Sequence, residues 1–301
     1  MTGGQSKALT TKSAKFAPCN FSMSHFKIGI IDYLNTQPFQ YRLEERLCPA
    51  GVTFIRDVPT GLNRALLAGE IDLAPISAFF AAEHADQFAI LPGHSISSLG
   101  AVKTVLLFSW RTDMHELEGA TIALTNHSAT SVNLLRVLAE RRYGIRPGYL
   151  TMAQDLPRMM QSAEAALVIG DTALVESFSH RELPRPNGSY GRPVIFDLGD
   201  EWLKLTGLPF TFAVWAARRE AVDRLLALNI PALLEQCKRE GLANISYIAD
   251  SYAPLLSVPA GVCRRYLRDL RYDLTESDLA GLTTFLQMAL SDHPPLTFLG
   301  Q

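Results

Sequence analysis

Short apolar strands, each followed by a polar loop and then a helix, recur along this sequence of 301 residues. Residues 27–33 form one such run and end just before Pro38, and further runs lie at 52–58 and 71–77. Between the last two, apolar residues at 60–69 recur at helical spacing. This strand–helix–strand order predicts a largely parallel sheet, with ligand-binding groups at the carboxyl ends of its strands.

The middle of the chain repeats the same order. Strands are predicted at 104–110, 120–124 and 165–169, and a helix is predicted at 131–143. A segment rich in proline and glycine follows at 183–191, and such a segment makes a poor helix or strand interior. The sequence therefore predicts a second α/β unit that ends at this segment.

Two strongly apolar segments, at 104–110 and 210–216, join the predicted units. Their positions indicate that the second unit is inserted into the first, so that two crossover strands connect two lobes. We expect lobe I to comprise residues 26–106 and 213–301, and lobe II to comprise residues 107–212. Such an arrangement leaves a cleft that can close over a small ligand.

The charge balance removes several classes of partner. The 30 acidic and 28 basic side chains leave a net charge of −2, which provides no field for a nucleic-acid backbone or an anionic membrane surface. No run approaches the roughly 20 apolar residues that span a bilayer. Residues 1–25 lack the apolar core of a signal peptide and are expected to be a disordered extension. We therefore expect a cytoplasmic protein that binds a small molecule, and the sequence does not specify its oligomeric state.

Metal, redox and common hydrolase motifs are missing from the sequence. The four cysteines are far apart, and the histidines show no ligand spacing. No G-x-S-x-G, P-loop, G-x-G-x-x-G or H-E-x-x-H motif occurs, so activated-serine hydrolysis, nucleotide binding and zinc hydrolysis lack their usual supports. We expect neither a metal nor a cofactor.

Amide and hydroxyl side chains follow several of the predicted strands. Asn35 follows the first strand, serines cluster at 95–98, and a hydroxyl-rich loop that contains His127 opens a helix at 125–131. The unpaired N–H groups and dipole of a helix start can hold a carboxylate or phosphate without a fixed positive charge. Asp171 opens a further helix. Each of these features can also be a plain helix cap or surface turn.

A combination of motifs along the chain resembles the chorismate dehydratase family of the futalosine route to menaquinone. The motifs that carry this resemblance are 30–38 (IIDYLNTQP), 96–98 with Val102, 125–131, 166–171, 197–199 with Trp202, and 206–210. The resemblance implies a type II periplasmic-binding-protein fold, a two-lobed Venus flytrap. It also implies elimination of water from chorismate to give 3-[(1-carboxyvinyl)oxy]benzoate.

The resemblance also implies roles for individual residues. Asn35 and Ser98 match the family's active-site asparagine and serine, and we assign Asn35 to the departing hydroxyl and Ser98 to substrate positioning. A larger set is assigned to substrate binding: Ser77, Ser97, Thr125, Ser128, Thr130, Ser131 and Asp171. The favoured proton acceptor is the substrate's own enolpyruvyl carboxylate, and a protein base such as Asp171 or His127 is the alternative.

Three other functions are compatible with this fold. The first is a non-catalytic receptor for small carboxylates. The expected lack of an export signal argues against this function. The second is a ligand-sensing regulator, but no helix-turn-helix pattern precedes the predicted lobes. The third is the sibling enzyme 1,4-dihydroxy-6-naphthoate synthase. The Tyr33–Leu34–Asn35 motif favours the dehydratase instead of this enzyme.

Overall fold

The computed structural model describes residues 26–179, 181–291 and 295–300. Residues 1–25, for which the sequence predicts a disordered extension, lie outside the described residues. Strands and helices alternate through most of the described chain, and the predicted α/β class is confirmed. No helix in this part of the chain is long and apolar enough to cross a membrane.

The strands of the described residues are β1 (Phe26–Ile30), β2 (Val52–Arg56), β3 (Leu73–Ser77), β4 (Phe88–Ser98), β5 (Val105–Ser109), β6 (Thr121–Thr125), β7 (Gly148–Met152), β8 (Ala165–Ile169), β9 (Leu183–Pro184), β10 (Tyr190–Gly191), β11 (Val194–Asp197), β12 (Phe210–Arg218) and β13 (Leu270–Arg271). The α-helices are α1 (Gln37–Gln40), α2 (Leu43–Leu47), α3 (Pro59–Leu67), α4 (Ala78–Glu83), α5 (Ala129–Val137), α6 (Leu156–Ser162), α7 (Gly170–Ser179), α8 (Leu198–Thr206), α9 (Val222–Ala227), α10 (Ile230–Ala243), α11 (Ile245–Leu256), α12 (Ala260–Asp269) and α13 (Glu276–Ala289). A π-helix at Leu138–Arg142 continues α5.

Two sheets carry the two lobes. Lobe I contains a six-stranded sheet of order β13-β4-β12-β3-β1-β2, and lobe II contains a five-stranded sheet of order β11-β5-β8-β6-β7. The chain leaves lobe I after β4 and returns to it at β12, so it passes between the sheets twice. This interleaving agrees with the insertion that the sequence predicts.

The prediction of largely parallel sheets is wrong for the strands that follow each crossing. β1 pairs in parallel with β2 and β3, and β6 pairs in parallel with β7 and β8. In contrast, β5 is antiparallel to β8 and β11, and β12 is antiparallel to β3 and β4. The strands of the strand–helix–strand series end at the cleft. A chain that enters the other lobe from the cleft must therefore run in the opposite direction.

One carboxylate joins both crossings. Asp197, at the end of β11, accepts hydrogen bonds from the backbone N–H groups of Val102 (3.0 Å) and Lys103 (2.6 Å) in the first crossing. It also caps α8, which leads into the second crossing, through the N–H of Gly199 at 3.0 Å. Desolvation raises the pKa of this carboxyl, and the four backbone N–H donors around it partly offset that shift. The two passages between the lobes are thus held side by side.

The largest group of buried apolar side chains extends through both lobes. It includes Leu73 of β3 and Leu134 of α5, which are both 0% exposed. In β5, Leu107 belongs to this shared core, whereas its neighbour Phe108 belongs to a second core on the opposite face of the five-stranded sheet. The lobes are therefore packed against each other around the cleft.

Candidate active site

A cavity lies between the two sheets and encloses about 650 Å³, including its open mouth. Lobe I contributes residues near the ends of β1, β3 and β4, and lobe II contributes the starts of β5, α5 and α7. The lining residues are Ile31, Tyr33, Asn35, Thr36, Pro59, Pro75, Ile76, Ser77, Ile96, Val102, Thr104, Val105, Ser128, Ser131, Ile169, Gly170, Phe212 and Ala213.

The polar groups of this lining are neutral. Among the described residues, no aspartate, glutamate, lysine, arginine or histidine lines the cavity. Hydroxyls and one amide supply the polar side chains, and Tyr33 supplies a phenol. Burial, and secondarily the nearby Asp171 carboxylate, raises the pKa of Tyr33 to about 12, so this phenol is neutral near pH 7. A ligand anion would therefore be held by neutral donors and by the positive end of a helix dipole.

Asn35 lies on a short 3-10 helix, Leu34–Thr36, that follows β1. The Thr36 hydroxyl fastens this turn to the Ile31 carbonyl oxygen at 2.6 Å, and Pro38 opens α1 directly after it. The Asn35 Oδ1 atom is buried and has no hydrogen-bond partner among the described residues. Because an unpaired buried acceptor is costly, this oxygen is available to a hydroxyl of a bound ligand.

Asp171 fastens the Asn35 turn to lobe II. Both of its carboxylate oxygens accept the backbone N–H of Leu34, each at 3.1 Å. Burial raises the pKa of Asp171 to about 7, and the Leu34 hydrogen bond opposes this shift. The side chain does not line the cavity, so the structure places it beside the asparagine turn.

Gly170 forms a second contact between the lobes at this point. Its φ of +67° lies in the left-handed region, and a Cβ atom there would be 2.8 Å from the Tyr33 ring. Its backbone N–H donates to the Thr104 carbonyl at 2.8 Å. The close approach of the Tyr33 ring therefore depends on the absence of a side chain.

Ser77 and Thr130 join the lobes on another side of the cavity. Their hydroxyl oxygens are 2.6 Å apart, and the Thr130 N–H donates to Ser77 Oγ at 3.1 Å. Thr130 Oγ1 in turn accepts the N–H of Phe79 in α4 at 3.2 Å. The starts of α4 and α5 thus share these two hydroxyls, which join the two lobes on this side of the cavity.

The loop that opens α5 contains the other predicted hydroxyls. Ser128 caps α5 by accepting the Ser131 N–H at 3.1 Å, and both side chains line the cavity. Thr125 is buried behind the loop and accepts the His127 N–H at 3.1 Å. Burial lowers the pKa of His127, and its Nδ1 has no partner in the described chain. His127 does not line the cavity.

Ser97 and Ser98 are buried at the end of β4 but do not line the cavity. The Ser97 hydroxyl donates to Thr211 Oγ1 at 3.1 Å, within the sheet. The Ser98 hydroxyl donates to the Gly100 carbonyl at 2.8 Å. Of the predicted site residues, the cavity brings together Asn35, Ser77, Ser128 and Ser131. Those outside its lining are Ser97, Ser98, Thr125, Thr130 and Asp171.

Comparison with known proteins assigns the chain to a family. Residues 26–291 match the menaquinone-biosynthesis family. The chain is also 33% identical over 273 residues to the chorismate dehydratase of Thermus thermophilus, which covers 88% of this chain and 95% of that protein. The chain belongs to the menaquinone-biosynthesis family. The resemblance predicted from the sequence motifs is therefore confirmed.

Solved structures share the fold of this menaquinone-biosynthesis family member at low sequence identity. The alkanesulfonate-binding protein SsuA from Xanthomonas axonopodis pv. citri, bound to MOPS, has a TM-score of 0.62 at 16% identity and covers 93% of this chain and 98% of its own. A conserved Candida albicans protein with the generic periplasmic-binding-protein fold has a TM-score of 0.65 at 10% identity, with coverages of 93% and 98%. The predicted two-lobed fold is confirmed.

Sequence reasoning missed one polar residue of the cavity lining in this family member, and the buried tyrosine that it contacts. Thr104 lines the cavity, and its hydroxyl is 2.8 Å from the hydroxyl of Tyr266, a buried residue of α12. The available signal for Thr104 was its position as a polar residue directly before the apolar strand β5. Tyr266 gave no local signal, because a helix can bury a tyrosine for packing alone. Among the described residues, no cluster of three or more His, Cys, Asp or Glu side chains could hold a metal ion.

The free energy of unfolding of this family member should depend on Asp171 between about pH 4 and pH 7. In an unfolded chain an aspartate has a pKa of about 3.9, whereas in the fold burial raises the pKa of Asp171 to about 7. In this window the folded state binds more protons than the unfolded state, so stability falls as the pH rises, by at most about 1.4 kcal/mol per pH unit. Asp171→Asn should flatten that slope.

The measurement is urea unfolding of both proteins across this pH range. Asp86→Asn, which changes an exposed carboxyl, is the matched control. Equal slopes for the original protein and Asp171→Asn would contradict the prediction.

Proposed function

We propose that this protein is a chorismate dehydratase, which eliminates water from chorismate to give 3-[(1-carboxyvinyl)oxy]benzoate. The observation that carries the proposal is the similarity, at 33% identity and over 95% of its length, to the chorismate dehydratase of Thermus thermophilus. The neutral interlobe cavity provides the independent physical support.

The chemistry of the elimination suits such a cavity. The C3–H and C4–O bonds of chorismate break, a C3–C4 double bond forms, and the ring becomes aromatic. Because aromaticity drives the reaction, the protein has mainly to orient the substrate and polarise the departing group. A set of hydroxyls, an amide and a helix start can do this without a charged side chain.

Asn35 is assigned to the departing hydroxyl. Its buried, unpaired Oδ1 can accept the hydrogen of the C4 hydroxyl, which leaves the lone pairs of the hydroxyl oxygen free for an incoming proton. We assign the removal of the C3 proton to the enolpyruvyl carboxylate of the substrate, which can pass that proton to the leaving hydroxyl. Water then carries away both hydrogens, and the atoms balance without a further reactant.

The carboxylates of chorismate are assigned to the neutral donors of the cavity. Ser128 and Ser131 lie at the first turn of α5, where N–H groups and the helix dipole favour an anion. Ser77 lies across the cleft at the start of α4. Ser98 retains its proposed positioning role through the Gly100 carbonyl that it holds, since that contact shapes the first crossing between the lobes.

Incubation of the purified protein with chorismate tests the proposal. We expect the ultraviolet spectrum of chorismate to be replaced by that of a benzoate, and mass spectrometry to detect a product lighter by one water. Chorismate incubated without protein corrects for its spontaneous decay. Binding of chorismate without conversion would favour a carboxylate receptor. Failure to bind or convert chorismate, together with formation of a dihydroxynaphthoate from its own precursor, would identify the sibling enzyme instead.

A further inference from the structure

The turn that carries Asn35 has no cap of its own. This 3-10 turn, Leu34–Thr36, follows Tyr33, whose side chain makes no capping hydrogen bond to it. The first N–H groups of a helical turn have no partner inside the turn and need one from outside. Leu34 is 0% exposed, so water does not supply a partner for its N–H. The start of the Asn35 turn therefore depends on an acceptor from elsewhere in the fold.

Lobe II supplies this acceptor. Asp171, in the first turn of α7, places both of its carboxylate oxygens 3.1 Å from the Leu34 nitrogen. These are the only hydrogen bonds of the Asp171 side chain among the described residues. Protonated or ionised, a carboxyl group retains an oxygen that accepts an N–H, so the contact persists on both sides of the pKa of about 7. The opposite lobe thus caps the Asn35 turn.

The other end of the turn is fastened inside lobe I. The Thr36 hydroxyl donates to the Ile31 carbonyl oxygen at 2.6 Å, and the Gln40 amide donates to the same oxygen at 2.7 Å. Asn35 lies between this end and the start that Asp171 caps. Its position is therefore set by contacts from both lobes.

We propose that Asp171 is a positioning residue for the dehydration: through the Leu34 N–H it places the Asn35 amide against the C4 hydroxyl of the substrate. This inference rests on the proposed function, and it gives the carboxylate a task other than proton removal. Asp171 does not line the cavity, so it acts through the turn and not on the substrate. A reacting group of lobe I is in this way aligned by lobe II.

Two substitutions distinguish this role from the alternatives. Asparagine retains an oxygen that can accept the Leu34 N–H, but it carries no charge and does not act as a base near pH 7. Alanine retains neither the acceptor nor the charge. A catalytic base would be lost in both variants, and so would the favourable negative charge at the start of α7. Only the alanine variant loses the hydrogen bond to the turn.

We expect Asp171→Asn to keep kcat for chorismate within about threefold of the original value, because it retains the acceptor. Asp171→Ala should lower kcat roughly ten- to a hundredfold, since displacing a group at a reacting bond by about 1 Å costs up to about 10²-fold. KM should change by less than about threefold in both variants, because the hydroxyls assigned to the substrate carboxylates are unchanged. Asp171→Ser, whose hydroxyl is one bond too short, replaces the alanine variant if that variant melts below the assay temperature.

Thr60→Val is the matched control. The Thr60 hydroxyl, on α3 of lobe I, donates to the Asn126 carbonyl oxygen of lobe II at 3.2 Å. This contact also joins the lobes, but it holds no group of the Asn35 turn, and Thr60 does not line the cavity. We expect Thr60→Val to keep the kcat of the original protein. A loss of kcat as large as that in Asp171→Ala would overturn the proposal, because any lost contact between the lobes would then have the same effect.

A second readout does not depend on catalysis. Hydrogen–deuterium exchange, measured by mass spectrometry on a peptide that contains residues 31–36, reports on the Leu34 N–H. We expect slow exchange in the original protein, in Asp171→Asn and in Thr60→Val, and exchange at least about tenfold faster in Asp171→Ala, which lacks the acceptor. Unchanged exchange in Asp171→Ala would overturn the proposal, because the carboxylate would then not hold the turn.

The kinetic outcomes separate the two proposals. Lack of chorismate conversion by the original protein would refute the proposed function and, with it, the role in dehydration. Conversion by the original protein combined with unchanged kcat in Asp171→Ala would refute the positioning role alone. Equally large losses of kcat in Asp171→Asn and Asp171→Ala would also refute it, since the charge or the proton of the carboxyl group would then be what the reaction needs.

Discussion

Asn35→Ala is expected to lower kcat for chorismate by about 10²–10³-fold, the effect of deleting one preorganised polar group at a reacting oxygen. The alanine removes Oδ1, the buried acceptor at the cavity that is unpaired in the described chain. The fold should tolerate the change, because a buried acceptor without a partner contributes no stability. Steady-state kinetics with chorismate and a thermal melt provide the two measurements.

The control for this variant is Asn133→Ala. Asn133 is half-buried on α5, where its amide donates to the Ala129 carbonyl at 3.0 Å, and it does not line the cavity. We expect Asn133→Ala to retain the turnover of the original protein. An Asn35→Ala variant with more than about half of the original kcat would refute the role of this amide, since even one weak hydrogen bond is worth more than that.

Gly170→Ala is expected to raise KM for chorismate by at least about tenfold and to lower the free energy of unfolding by about 1–3 kcal/mol. The glycine has φ of +67°, and the new Cβ atom would lie 2.8 Å and 2.9 Å from two atoms of the Tyr33 ring in lobe I. The ring or the lobe must therefore move. Because Gly170 lies in lobe II and the Tyr33 ring in lobe I, the collision should disturb the approach of the lobes around the substrate as well as the stability of the fold.

Gly119→Ala separates the collision from backbone strain. Gly119 has a nearly identical φ of +66°, and a Cβ atom there would meet nothing within 4 Å. Both variants should lose the stability that the left-handed conformation costs a residue with a side chain, about 1–2 kcal/mol. Only Gly170→Ala should change KM. Equal kinetics in the two variants would show that the contact with Tyr33 does not control closure.

The local order of the fold was readable from sequence, because hydrophobic periodicity reports on neighbours in the chain. The strand–helix–strand series from β1 to β3 and from β6 to β8 has the parallel direction that this order predicts. The directions of β5 and β12 were not readable in the same way. They depend on the side from which the chain enters each sheet, and that side is set by the position of the cleft.

Some residues of the candidate site were likewise identified from local sequence patterns, whereas the contacts of others depend on distant parts of the chain. Asn35 and Ser128 were identified because each follows a strand and opens a helical turn, a local pattern that places a side chain at the sheet edge. Ser97 was identified within a group of hydroxyls and a glycine that lead into a strand, yet its hydroxyl bonds to Thr211, which lies 114 residues away in β12. Asp171 bonds to the Leu34 N–H, 137 residues distant. Neither partner has a signal in the neighbouring sequence.

The sequence by itself determined the class of fold, and it predicted the interleaving of two lobes and an asparagine after the first strand, because these follow from periodicity and from motifs that are contiguous in the chain. Only the tertiary structure decided which of the predicted hydroxyls line the cavity and which hold the lobes together. The physical reason is that a hydroxyl or amide acts according to its hydrogen-bond partners, and for Ser77, Asp171 and Tyr266 those partners come from distant parts of the chain.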